Sequence, residues 1–327
     1  MDKTDEYIAK APTLTIFDGL VKAKSVFEKH QNIMVSVSGG ADSDCVIDIV
    51  EHLVPRDGQH KVTYVWFDTG IEMDATKRHL DYLENRYGIK IIRRRAKTTV
   101  PAAIAKVGYP FISKECSDRI NRLQAHSFTW DKGTMNELAD KFPNCKGALT
   151  WWCREKKGYA VSKIMRDYIH ESPPTFPVSD KCCYYAKKKP SADMEAELKA
   201  DLVCLGIRRA EGGVRASKSK CFDFAGVRHK TDRYYPCFWW TDEDKAAFEQ
   251  TYSIVHSDAY TVYGFKRTGC AGCPFNSKFE DDLKILYQYE PKLANAVEHI
   301  FAPAYEYTRA YREYRSNKKA TKHKPRG

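Results

Sequence analysis

Ile33-Met34-Val35-Ser36-Val37-Ser38-Gly39-Gly40-Ala41-Asp42-Ser43 is the stretch whose reading decides the fold. Ile33 to Val37 is a short β-rich run suited to a buried strand. Ser38-Gly39-Gly40 breaks it, and from Asp42 apolar residues recur at helical spacing (Cys45, Val46, Ile49, Val50, Leu53). Two glycines let the chain turn tightly and bring its N–H groups to a ligand. Serine hydroxyls add donors, and the positive end of the following helix favours an anion. The chain has no G-x-x-x-x-G-K-[ST], so this is not the usual nucleoside triphosphatase loop. Its placement between strand and helix predicts a phosphate site; the alternative is a tight turn capped by Asp42 or Ser43.

Working outward, Val62-Thr63-Tyr64-Val65-Trp66-Phe67 reads as a second strand leading into Asp68-Thr69-Gly70 and a helix over 73–87. Ile89-Lys90-Ile91-Ile92 makes a third strand, and Leu202 to Ile207 another buried one. Strands alternating with helices predict βαβ units and a parallel sheet covered on both faces. Residues 14–30 read as a basic amphipathic helix with Leu14, Phe17, Leu20, Val21, Ala23 and Val26/Phe27 on one face. Residues 97–180 are less regular and mostly helical, and 210–235 read as a polar, mobile loop. A helix at 241–255, a cysteine-containing loop at 264–276 and a helical end at 278–312 follow. The tail from Arg315 is too basic and apolar-poor to pack. The expected divisions are an N-terminal helical segment 1–30, an α/β domain 31–260 with a helical insertion near 97–180, a Cys-x-x-Cys loop with C-terminal helices 261–312, and a basic disordered tail 313–327.

The 327 residues are 43% hydrophobic and 30% charged, which excludes a disordered chain. No apolar run is long enough to span a bilayer, and the N-terminus lacks a secretory pattern, so a cytoplasmic protein with no membrane partner is expected. Lys and Arg number 54 against 43 Asp and Glu, a net charge of +11 that suits a polyanion or a phosphorylated ligand. Eleven cysteines in a reducing compartment point towards metal or redox chemistry rather than disulfides.

Ser-Gly-Gly-x-Asp-Ser resembles the pyrophosphate loop of the adenine-nucleotide α-hydrolase superfamily, the PP-loop ATP pyrophosphatases. Phe67-Asp68-Thr69-Gly70-Ile71-Glu72 is similar to a segment of its sulfonucleotide reductase branch, the phosphoadenosine phosphosulfate reductase family. The resemblance implies a doubly wound, mostly parallel sheet with helices on both faces, plus the helical C-terminal region. It also implies ATP or adenylyl sulfate with Mg²⁺ bound by Ser36, Ser38, Gly39, Gly40, Ala41, Asp42, Ser43, Asp68, Thr69 and Gly70. Many relatives carry Lys in the slot held by Ala41, and its loss removes one phosphate contact. Asp42 is expected to help place magnesium, and Arg208 and Arg209 to meet the α-phosphate. A solvated salt-bridge site is the other reading of the arginine pair.

Cys182-Cys183 is an adjacent pair, and Cys270-Ala271-Gly272-Cys273 is a C-x-x-C. Four thiolates suit zinc or an iron–sulfur cluster, and adjacent cysteines favour the cluster because their side chains diverge. Buried cysteines acting as small hydrophobes are the other reading. Lys181-Cys182-Cys183, Lys187-Lys188-Lys189-Pro190, Gly206-Ile207-Arg208-Arg209-Ala210-Glu211 and Gly269-Cys270-x-x-Cys273-Pro274-Phe275 resemble the iron–sulfur adenylylsulfate reductases and the ATP pyrophosphatases of DNA phosphorothioation. The resemblance implies a [4Fe–4S] cluster on Cys182, Cys183, Cys270 and Cys273, with Cys237 the main competitor. Cys45 and Cys204 occupy apolar periodic positions and are expected in the core.

The pattern departs at one point. The reductases carry a nucleophilic cysteine in a Glu-Cys-Gly-Leu-His motif near the C-terminus, and no cysteine follows Cys273 here. The expected function is therefore adenylylation of an acceptor for sulfur transfer in nucleic-acid thio-modification. A cysteine desulfurase or another donor would supply the sulfur. A reductase using an external thiol and a nucleotide-binding regulatory module are the alternatives. Arg93-Arg94-Arg95, Lys187-Lys188-Lys189, the run 208–233 and the tail are basic. Tyr184, Tyr185, Tyr234, Tyr235, Trp239 and Trp240 lie nearby, a composition suited to a nucleic-acid acceptor.

Overall fold

Strand β1 (Asn32–Val37) lies in the middle of a six-stranded sheet, flanked by the two strands that the apolar pattern predicts. The computed structural model describes residues 2–155, 158–226 and 230–322. They form two compact units, Met1–Lys97 with Lys187–Cys270, and Thr98–Ala186 with Ala271–Gly327.

The first unit holds the sheet. Its strands are β1, β2 (Lys61–Asp68), β3 (Ile91–Arg95), β4 (Leu202–Leu205), β5 (Phe222–Asp223) and β6 (Asp232–Tyr234), in the order β3-β2-β1-β4-β6-β5. All neighbours pair in parallel except β5 and β6; Val35 lies opposite Tyr64 on one side and Cys204 on the other. The period of two sorts the side chains between two cores. Ile33, Val35 and Val37 join Tyr64, Trp66, Leu202 and Cys204, packed under Ile16, Leu20, Ala23 and Phe27 of helix Leu14–Phe27 and Phe248 of helix Asp242–Thr251. Met34, Val65 and Val203 turn the other way, against Met194 of helix Lys189–Glu197. This is the doubly wound, mostly parallel sheet with helices on both faces that the alternation predicts.

Four details differ from the sequence reading. The buried face of Leu14–Phe27 is rotated, with Ile16 inside while Leu14, Phe17 and Val21 are exposed. Strand β3 runs on through Arg93-Arg94-Arg95, where Arg93 pairs with Asp81 and with Glu84 at 2.9 Å, and Arg94 with Glu197. Charge on this edge strand blunts pairing with another chain. Within 210–235, predicted as a mobile loop, β5 and β6 form a hairpin that extends the sheet; Tyr234 is buried in the core, which gives β6 its place beside β4. Residues 227–229 lie outside the described ones. The last difference is in the second unit, where the tail expected to be disordered over 313–327 belongs, up to its residue 322, to helix Pro291–Lys322. Tyr307, Tyr311 and Tyr314 on that helix pack against Tyr168, and Arg315, Lys318, Lys319, Ala320 and Lys322 beyond them are good helix formers. The tail's last residues, 323–327, lie outside the described ones.

The second unit gathers the insertion predicted near 97–180 with the C-terminal helices. Its core is aromatic: Phe128, Trp130 and Trp152 meet edge to face with centroids 5.6–5.7 Å apart. A parallel bridge pairs Tyr109 with Val178.

One polar contact closes the first unit over a long sequence distance. Thr13 caps helix Leu14–Phe27 by accepting from the Ile16 amide, and its hydroxyl donates to Asp244 Oδ1 at 2.7 Å. Asp244 is also half of a capping box, its Oδ2 accepting from the Thr241 amide at 3.1 Å. Replacing Asp244 with Ala should cost about 1–3 kcal/mol in urea unfolding. The exposed neighbour change Glu243→Ala should cost under about 0.5 kcal/mol.

Candidate nucleotide site

β2 lies on one side of β1 and β4 on the other, so the connections leaving β1 and β4 diverge. Such a reversal opens a crevice beyond the carboxyl ends of the strands. Ser38-Gly39-Gly40 after β1 and Gly206-Ile207-Arg208 after β4 flank it. Gly39 has φ +68°, and a Cβ there would come 2.5 Å from Thr76 Cγ2. A Cβ on Gly206 would stand 2.7 Å from Asp42 C and Ser43 N, backbone atoms with no room to yield. The exit of β4 thus lies directly on the first turn of helix Ala41–Leu53.

The cleft has a volume of about 630 Å³ and is walled by Ser36, Ser38, Gly40, Ala41 and Asp42, with Lys187, Arg208, Glu211, Arg215, Lys245, His256, Tyr260, Lys266, Arg267 and Thr268 among its other residues. Hydroxyl oxygens hold the loop's amides. The Gly40 N–H donates to Ser38 Oγ at 3.2 Å, the Ser38 N–H to Ser43 Oγ at 3.3 Å, and the Ala41 N–H to the Tyr260 hydroxyl at 3.4 Å. The Tyr260 oxygen also accepts from the Thr268 amide at 3.1 Å. Ser43 turns inward and donates to the Gly40 carbonyl at 2.8 Å.

Arg208 is buried and engaged by the protein. Its Nε donates to Asp42 Oδ1 at 2.9 Å, while Nη1 meets Asp242 Oδ1 at 2.9 Å and donates to the Thr241 carbonyl at 3.1 Å. The residue expected at the α-phosphate is therefore a brace between loop, β4 exit and helix Asp242–Thr251. Asp42, expected to place magnesium, is the other half of that brace. Burial pushes its carboxyl above the usual range, with Arg208 acting against the rise.

Behind the loop runs a line of alternating charge. Lys245 Nζ lies 2.7 Å from Glu249 Oε1, and His256 Nε2 lies 2.8 Å from the same oxygen. His256 Nδ1 hydrogen-bonds Asp44 Oδ2 at 2.8 Å, and Asp44 faces His79 Nε2 at 3.0 Å. Asp44 and His79 are buried.

Of the residues predicted to bind, Ser36, Ser38, Gly40, Ala41, Asp42 and Arg208 line the cleft, and Gly39 and Ser43 shape its floor. Asp68, Thr69 and Gly70 form a separate turn at the end of β2. There Asp68 Oδ1 accepts from the Gly70 amide, and the Thr69 hydroxyl donates to Glu72 at 2.6 Å and stands 3.6 Å from Cys270 Sγ. Arg209 stacks over the Trp239 ring, 5.6 Å from its centroid. Lys245, His256, Tyr260 and Thr268 were not foreseen: they reach the loop from more than two hundred residues away, with no spacing in the sequence to announce them.

The cysteines divide. Cys45, Cys204 and Cys237 are buried in the main core, and burial raises their thiols above the ordinary range. Cys237 is thereby packed as a small hydrophobe. Cys270 ends the first unit, while Cys182, Cys183 and Cys273 belong to the second. Among the described residues, no group of three or more His, Cys, Asp or Glu side chains is gathered to hold a metal ion. Four thiols of this kind suit an iron–sulfur cluster in chemistry.

A glycine loop at a topological switch point, walled by cations and hydroxyls, defines an α/β protein whose cleft is suited to an anionic ligand. The chain belongs to the phosphoadenosine phosphosulfate reductase family: the family model for the phosphoadenosine phosphosulfate reductase domain matches residues 32–132 and 150–276. An uncharacterized 37.8 kDa protein of Escherichia phage 186 is 26% identical over 281 residues, 80% of this chain and 72% of that protein. An uncharacterized protein of Methanocaldococcus jannaschii is 35% identical over 75 residues, 23% of this chain and 15% of that protein. Among solved structures, phosphoadenylyl-sulfate reductase from Candida auris in a phosphate complex is 11% identical with a TM-score of 0.43, covering 77% of this chain and 87% of that one. The U34-tRNA thiolase NcsA from Methanococcus maripaludis with its [4Fe-4S] cluster is 12% identical with a TM-score of 0.40, covering 91% and 78%. No helix among the described residues is long and apolar enough to cross a membrane.

Burial opposes a charge on His256, but Asp44 and Glu249 outweigh it and lift its pKa to about 9 from an ordinary 6.5. A raised folded-state value means the stabilisation is full below pH 6.5 and is lost as pH rises through 9. Unfolding measured from pH 6 to 10 should show this loss, and His256→Gln should flatten it.

Proposed function

We propose that the first unit binds ATP in the cleft and transfers AMP to an acceptor oxygen. The acceptor oxygen attacks the α-phosphorus, the bond to the bridging oxygen breaks, and pyrophosphate leaves with that electron pair. A sulfur nucleophile then displaces AMP, which departs with the acceptor's oxygen. An acceptor oxygen is a poor leaving group until adenylylated, and that is the purpose of the first step. The observation that carries this reading is the loop itself: three of its amides are held by Ser and Tyr hydroxyls at 3.2–3.4 Å, long contacts. Phosphate oxygens in their place would make shorter, charge-assisted bonds. Ser38, Gly40 and Ala41 would hold pyrophosphate oxygens, while Asp42 and Arg208 keep the loop in shape. Magnesium would enter with the nucleotide's phosphates.

The acceptor in this proposal is a nucleic acid, and a cysteine desulfurase or another donor supplies the sulfur. The net charge of +11 supports it, as do Tyr184 and Trp239, which are exposed, the latter under Arg209. Tyr234, Tyr235 and Trp240 are core residues and take no part. A second reading, reduction of a sulfonucleotide by an external thiol, is favoured by the family to which the chain belongs.

Product analysis separates them. Incubation with Mg²⁺–ATP and acceptor should give AMP and pyrophosphate, read by anion exchange. Sulfite released from adenylyl sulfate with added thiol would select the second reading. Tight nucleotide binding with no product would leave a regulatory module.

The cluster is proposed on Cys182, Cys183, Cys270 and Cys273, supported by their thiol chemistry. Anaerobically purified protein should contain about four irons and four sulfides per chain. Cys270→Ala should lose both, whereas Cys237→Ala should keep them. Zinc in place of iron would sink the assignment.

A further inference from the structure

Residues 36–43 contain no cation, and Asp42 makes the loop acidic. A phosphate chain laid on it needs positive charge from elsewhere on the wall. Arg208 is taken up by Asp42, Asp242 and a main-chain carbonyl. Arg215 and Arg267 both close on Glu211, the charge of Lys187 acts on the buried Glu72, and Lys266 is exposed.

Lys245 is placed differently. It rises from the first turns of helix Asp242–Thr251 and lines the cleft, with its side chain 18% exposed and its Nζ 4.0 Å from Asp42 Oδ1. Its partner oxygen, Glu249 Oε1, is shared with His256 Nε2, so one carboxylate oxygen serves two cations. His256 is anchored in turn by Asp44, which also faces His79. An ammonium group has three donors. Paired with Glu249 at 2.7 Å, it keeps donors that can turn towards an anion, while the contacts of Glu249 with His256 and of His256 with Asp44 set where the nitrogen stands.

We propose that Lys245 is the phosphate-gripping cation of this cleft, holding the pyrophosphate portion of the nucleotide over Ser38 and Gly40 and supplying the charge that the loop lacks. The assignment rests on the ATP reading for its nucleotide, but the pyrophosphate contact can be tested without it. Burial opposes the charge on Lys245, and the bond to Glu249 outweighs burial and raises its pKa, so the group stays an ammonium.

Inorganic pyrophosphate and ATP are titrated separately into the full chain by calorimetry. Wild type should bind both. Lys245→Met should weaken pyrophosphate about tenfold or more, the range for losing a bond to a charged group. Lys245→Arg should restore most of that loss, which a merely structural lysine would not show. Competitive acetylation of the unmodified wild-type chain covers the case in which the variant does not fold. Pyrophosphate should protect Lys245 and leave the exposed Lys22 labelled as before. Equal pyrophosphate affinity in wild type and Lys245→Met overturns the assignment, as do an unprotected Lys245 or a wild type that binds no pyrophosphate. Binding of pyrophosphate but not ATP, lost in Lys245→Met, would keep the assignment and remove the ATP reading.

Discussion

The ion pair between Asp42 and Arg208 is the constraint from which the rest of the cleft follows. Asp42 opens the helix after the glycine loop, and Arg208 leaves the strand on the far side of the switch point. Their 2.9 Å contact holds together the two lips of the crevice. Arg208 reaches on to Asp242 and the Thr241 carbonyl, so the helix that carries Lys245 and Glu249 is tied to the same point. Removing one partner of a buried pair leaves an uncompensated charge, which costs more than the pair contributes. Arginine suits this position because its planar group meets several acceptors at once and stays charged.

Charge around the cleft is organised in layers. Next to the loop stand carboxylates and arginines that neutralise one another and set shape. Behind them lies the line from Lys245 through Glu249 and His256 to Asp44, in which each carboxylate faces two nitrogen groups. Such an arrangement holds its cations in place before any ligand arrives, and fixed charge in a half-buried site acts more strongly than mobile charge in water. Many of the basic residues that make the chain cationic serve these internal pairs. Arg93 and Arg94, which look like a polyanion patch in sequence, are spent on neighbouring carboxylates along the edge strand.

What was legible in the sequence is what local pattern controls. Strand β1, the glycine turn and the helix from Ala41 lie within about twenty residues, and their periodicities and φ requirements are local, so fold class and loop were readable together. The same holds for Cys45 and Cys204, whose apolar spacing announced their burial. The roles of Arg208, Lys245 and Tyr260 were not readable. Each depends on a contact across more than 150 residues of chain, set by sheet order and not by any motif. The rotated face of helix Leu14–Phe27 has a subtler cause: Ile16 and Phe17 are both apolar, and only the sheet beneath decides which of them points inward. The hairpin β5–β6 was hidden because two-residue and three-residue strands among glycines and lysines carry almost no periodic signal.

The sheet order also bears on how the chain is made. β1 meets β2 soon after both are synthesised, but its other edge is completed only by β4, more than 160 residues later. Until Leu202 to Leu205 emerge, β1 presents an open, apolar parallel edge at the centre of the future sheet. The clasp between Thr13 and Asp244 closes later still. Entropy makes such distant pairings slow to form, and an unpaired strand edge is a template for association. The helices of the intervening segment can form on local contacts during that interval. The nascent first unit is therefore the part of this protein most in need of protection from its neighbours on the ribosome.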